Sequence, residues 1–123
     1  MPSLTKKDVN RILITILFLI LATLSICLLW KLANLLTALL FFLAIAYLAY
    51  VKSKKLALVF LFCGFGGCVV EIIAIEYGAW HYTLPTLFNI PLWLFPAWGI
   101  AGILCASLYK LLDKIPSLEK NNN

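Results

Sequence analysis

The sequence predicts an all-α, polytopic membrane protein with four transmembrane helices, and three observations carry that expectation. Its 123 residues are 64% hydrophobic and 12% charged, where a soluble domain needs roughly a quarter charged residues to cover its surface. The mean hydropathy of +1.04 leaves lipid, rather than water, to cover the rest. The few charges are gathered into short clusters that separate long uncharged runs. The net charge of +5 therefore reads as membrane topology rather than as a nucleic-acid face.

The first uncharged run, Ile12 to Leu29, follows the polar and basic segment 1–11 and ends at Trp30-Lys31. The second runs from Leu32 to Val51. As one helix the two would extend about 60 Å, twice the hydrocarbon core of about 30 Å. The chain must therefore fold back near Lys31–Asn34, giving helices at about 12–30 and 33–51. A lysine-rich turn, 52–55, leads to a third helix at about 56–77, which Gly78 offers to stop. Residues 78–91 hold two prolines, a histidine and an asparagine and read as a loop or short re-entrant segment. The fourth helix is expected at about 92–112, its opening disturbed by Pro96. The polar segment 113–123 follows, and the whole chain reads as a single membrane domain. The first helix reads as retained, since neither a lipoprotein cleavage box nor an A-x-A site occurs near Cys27.

Orientation follows from the cations. Nine of the ten lie in the N-terminal segment, the 52–55 turn and the last part of the chain; only Lys31 lies at the opposite end. With four spans these three segments share one face, and the positive-inside bias makes it cytoplasmic (N-in, C-in) with 78–91 extracytoplasmic. The expected location is the cell's inner membrane, crossed several times. Tyr47, Tyr50 and Tyr109 are expected at the inner interface, and Trp30, Tyr77, Trp80, Tyr82 and Trp93 at the outer one.

Residues able to carry chemistry concentrate between Gly64 and Gly102. Glu71 stands well inside the third apolar run, where an ionised carboxylate costs on the order of 2–3 kcal/mol unless paired or wetted. It reads either as a proton-handling or ligand-binding acid or as a structural hydrogen-bonding group. Gly64 and Gly67 precede it by seven and four residues, and Gly99, Gly102 and Ala106 repeat the spacing in the fourth run. Small residues at such intervals let membrane helices approach closely, so helices 3 and 4 are expected to pack antiparallel along these stripes. That register places the Trp98 indole N–H as a donor to Glu71. Glu76, about 140° further round a helix from Glu71, belongs near the headgroups. His81, the only histidine, sits between Trp80 and Tyr82 and is either interfacial or an acid–base partner for a glutamate. Glu71 and His81 are the candidate catalytic residues. Glu71, Glu76, Trp80, His81, Tyr82, Trp93 and Trp98 are the candidate ligand-binding set.

The segment Gly64–Ile103 resembles the carotenoid-biosynthesis membrane family that includes bacterioruberin-precursor hydratases. The matching positions are Glu71, Gly78, Trp80, Tyr82, Ile90-Pro91 and Trp98. Members of that family are longer and have more helices. The theme Pro91-Leu92-Trp93-Leu94…Trp98 equally resembles small bacterial inner-membrane proteins of unknown function. The first likeness implies an isoprenoid ligand; the second implies no activity.

No nucleotide-binding loop, nucleophile elbow or HExxH motif occurs, and Cys27, Cys63, Cys68 and Cys105 fall in apolar runs without metal or disulfide spacing. Soluble-enzyme chemistry is thus disfavoured, and neither metal nor cofactor is expected. Three readings remain. The protein binds a membrane lipid or isoprenoid in an outer-leaflet groove between helices 3 and 4; or it is an accessory or assembly subunit docking on a membrane-protein partner; or, as a homo-oligomer, it is a small transporter.

Overall fold

The computed structural model describes residues 4–115. Residues 1–3 and 116–123, including Lys120, lie outside the described residues. Four α-helices follow one another: α1 (Lys6–Leu29), α2 (Ala33–Val51), α3 (Lys54–Glu76) and α4 (Leu94–Leu112). Each is long and apolar enough to cross a membrane, so the chain is a multi-pass membrane protein by length and composition.

The helix boundaries have local causes. α1 begins at Lys6, below the apolar run at Ile12, because Thr5 and Asp8 form a capping box. The Thr5 hydroxyl accepts from the Asp8 N–H at 3.2 Å, and the Asp8 carboxylate accepts from the Thr5 N–H at 2.9 Å. α2 stops at Lys52, which takes a left-handed φ of 53°, and Ser53 at once caps α3 by accepting from the Leu56 N–H at 3.2 Å. α3 ends in a Schellman motif: the Gly78 N–H donates to the Ile75 carbonyl and the Ala79 N–H to the Ala74 carbonyl. Gly78 has φ 78°, a conformation that costs a residue with a Cβ about 1–2 kcal/mol. α4 starts two residues beyond the expected 92. Its Pro96 stands in the first turn, where a backbone N–H has no intrahelical partner to lose.

Within the bundle α4 is the hub. It packs against α1, α2 and α3, with the α3–α4 contact the most extensive. Of its most apolar window 44% is buried, against 11% for α1; α1 accordingly presents Leu13, Leu17, Leu24 and Leu28 outward, where lipid would lie. The core joins Leu36 and Leu40 of α2, Phe60 of α3 and Ile100, Ile103 and Leu104 of α4. Phe41, Phe60, Phe65 and Phe95 meet in tilted and edge-to-face pairs at 4.9–6.1 Å between centroids.

Tyr47 departs from the interfacial role expected of it. It is buried to 1% exposure because its hydroxyl pairs with that of Thr15 at 2.9 Å and its ring meets Phe18 edge-on. Tyr50 and Tyr109 do remain exposed.

The lysine-bearing segments share one end of the bundle, as three successive reversals require. There Arg11 donates to the Val51 carbonyl at 3.4 Å, and Lys114 pairs with Asp8 at 2.6 Å.

Candidate functional site

At the other end, the reversal at Gly78 sends the chain back along the last turns of α3. This brings Trp80 to Glu71, nine residues earlier: the indole Nε1–H donates to Glu71 Oε2 at 2.7 Å. Glu71 is 8% exposed, so its carboxyl group is removed from solvent and Trp80 supplies it one hydrogen bond. Trp80, rather than Trp98, is therefore the donor. The indole of Trp98 instead lies against Gly67, where an added methyl would overlap it. A donor nine residues away in a loop follows from the Schellman reversal and has no helical periodicity to reveal it.

Tyr82 continues the arrangement. Its ring meets Trp93 edge-on at 6.2 Å. Burial, and then the neighbouring Glu71 carboxylate, push its phenol up to about 12, because a phenolate there would be both desolvated and next to a like charge. Beyond it the loop closes on itself through a tight turn. Leu87 and Ile90 exchange N–H···O bonds at 2.9 and 3.0 Å across Phe88 and Asn89, both at positive φ, the geometry of a type I′ turn. No re-entrant helix forms in 78–91. Ile90 and Pro91 are buried and anchor the turn to the bundle.

Between this loop and the last turn of α1 lies an open cleft of about 460 Å³, lined by Ile26, Cys27, Trp30, His81, Tyr82, Thr83, Leu84 and Trp93. Three candidate ligand-binding residues, His81, Tyr82 and Trp93, thus come together, and Tyr82 links the cleft to the Glu71–Trp80 pair. Glu76 is exposed at the end of α3, apart from that hydrogen bond. Along the α3–α4 seam the glycines are covered: Phe95 lies against Gly64, Trp98 against Gly67, Phe60 against Gly99 and Cys63 against Gly102, while Ala106 packs on the core. The expected α3–α4 groove is filled along these glycines, and the open space adjoins α1. Ile26, Cys27, Thr83 and Leu84 were invisible as site residues, because nothing in an apolar run says which helix end will meet which loop.

No protein-family model, curated protein or solved structure matches the chain. Among the described residues no three His, Cys, Asp or Glu side chains gather as a metal would need, and all four cysteines are free thiols. The arrangement offers a neutral phenol, a buried carboxylate and an imidazole beside an aromatic-walled cleft. Such a site can hold an apolar chain and accept or donate a few hydrogen bonds at its polar end.

Proposed function

We propose that this protein resides in the inner membrane with its lysine-rich end in the cytoplasm, and that it binds a lipid or isoprenoid at the opposite end. The cleft between α1 and the 77–93 loop would take the apolar chain, with Trp30 and Trp93 as walls. Tyr82 and Glu71 would face the ligand's polar group. One observation carries this reading: a carboxylate buried in an apolar span is held by a loop tryptophan and lies beside the phenol that lines the cleft. Ionisable groups kept within membrane spans at such a cost ordinarily serve a ligand or a proton path. The likeness of residues 64–103 to carotenoid-biosynthesis proteins supports an isoprenoid as the chain.

The test is mass spectrometry of the protein extracted in mild detergent. The expected result is one retained lipid or isoprenoid per chain, lost in Glu71→Gln and in Tyr82→Phe while both variants stay folded. Equal retention by wild type and variants, or a stoichiometric protein partner in place of a lipid, would overturn the proposal.

A further inference from the structure

The bundle end opposite Glu71 carries a second cleft, independent of the site above. It has a volume of about 610 Å³ and lies between the start of α1, the α2–α3 turn and the last turns of α4. Among the described residues eleven line it, and six of these are cations: Arg11, Lys52, Lys54, Lys55, Lys110 and Lys114, with no carboxylate among the other five. The positive-inside bias explains why lysines stand at this end. It does not explain why they converge on one cleft, where like charges repel.

The floor of the cleft holds a second, unrelated observation. Ser107 is 4% exposed, lines the cleft, and its Oγ has no hydrogen-bond partner among the described residues. The other helical hydroxyls among the described residues, Thr15, Thr23, Ser25 and Thr37, each donate to the carbonyl four residues earlier, at 2.6–2.8 Å. Ser107 alone forgoes that bond. A buried hydroxyl without a partner costs about 1–3 kcal/mol, and such a group marks a place where a ligand or water completes the structure. Ser107 and Lys110 lie three residues apart, on one face of α4, and Lys114 follows just past its end. The α3 N-terminus, capped by Ser53, opens at the same cleft and adds its dipole to the field.

We infer that this cleft binds a phosphoryl group, borne by an anionic lipid headgroup or by a soluble phosphate compound, with the cations neutralising it and the Ser107 hydroxyl donating to one of its oxygens. A phosphate suits the site because it offers several strong acceptor oxygens and up to two negative charges, where a carboxylate brings one. The cleft lies at the lysine-bearing end of the bundle, and the five lining cations other than Lys114, which pairs with Asp8, exceed what a single carboxylate would neutralise.

The experiment uses the full chain in two settings. One is an uncharged detergent micelle titrated with inorganic pyrophosphate; the other is phosphatidylcholine nanodiscs doped with phosphatidic acid. Binding is read by native mass spectrometry and by thermal shift. One-to-one binding of pyrophosphate in micelles assigns a soluble source; binding confined to phosphatidic acid nanodiscs assigns a headgroup. Ser107→Ala should weaken binding about tenfold, the worth of one hydrogen bond to a charged group. Without anion its melting temperature should equal or exceed that of wild type, since it removes an unpartnered hydroxyl. Lys54→Gln with Lys110→Gln should weaken binding at least as much. Lys6→Gln with Lys7→Gln, an equal charge loss outside the cleft, should leave it nearly unchanged. No binding in either setting overturns the proposal. So does a Ser107→Ala variant that binds like wild type, or a loss at Lys6 and Lys7 matching that at Lys54 and Lys110.

Discussion

Glu71 concentrates the cost of its end of the bundle in one side chain, because its carboxyl group is buried and Trp80 donates to one of its oxygens. Trp80→Phe keeps most of the aromatic bulk and removes that donor. It should destabilise the protein by about 1–3 kcal/mol, the usual cost of stranding one partner of a charged hydrogen bond. In the Glu71→Gln background the same substitution should cost less, because a neutral amide is cheaper to leave unpaired. A double-mutant cycle of thermal unfolding in neutral detergent measures the difference; a coupling of zero would deny the bond any energetic weight. Tyr82 makes a complementary prediction. Its phenol is raised from an ordinary value near 10 to about 12, so between those values the unfolded chain loses a proton that the folded one keeps. The folded state binds more protons there, and stability must fall as pH rises from about 10 to about 12. Below that window Tyr82 is neutral in both states and contributes no pH dependence. Other tyrosines and lysines titrate nearby, so the check is the difference between wild type and Tyr82→Phe, whose stability should fall less steeply across the same window.

At the scale of elements, α3 and α4 touch through glycines that are not equivalent. A methyl at Gly67 would overlap the Trp98 indole, whereas one at Gly66 meets nothing within 4 Å. Gly67→Ala should therefore destabilise by about 1–3 kcal/mol through overpacking, while Gly66→Ala should be neutral or stabilising by up to about 1 kcal/mol from its better helix propensity. Melting temperatures of the two variants decide the matter, and similar values would contradict the packing described. The four spans were legible in the sequence because uncharged runs and lysine clusters report on the solvent directly. The α3–α4 pairing was legible because small residues at three- and four-residue spacing are what close approach requires. What filled those stripes was not: aromatic rings set into glycine notches look, in sequence, like lipid-facing residues. Tyr47 misled for the same reason, since a tyrosine at an interface and one bonded to Thr15 inside the bundle occupy the same place in an apolar run. The central position of α4 likewise depends on contacts between distant segments, which no local pattern encodes.

The whole molecule is polar in the electrical sense. Nine of ten cations lie in segments assigned to one end, with Lys31 alone at the other, and at the lysine-rich end Asp8 pairs with Lys114 across the length of the chain. That asymmetry predicts a single orientation rather than a mixture. In a variant lacking Cys27, Cys63, Cys68 and Cys105, a cysteine introduced at Thr83 lies in the cleft-lining loop, and one introduced at Lys55 lies in the turn between α2 and α3. A membrane-impermeant maleimide applied to intact cells should label the Thr83→Cys protein fully and the Lys55→Cys protein only after permeabilisation. The opposite pattern would invert the topology and put the aromatic cleft on the cytoplasmic side. Partial labelling of both would mean two orientations coexist. Because Arg11 reaches the Val51 carbonyl and Lys114 reaches Asp8, the Lys55 label reports for the start of α1 and the end of α4 as well. A single residue thus tests the placement of all three basic segments, and with it the side of the membrane from which a phosphoryl group would have to arrive.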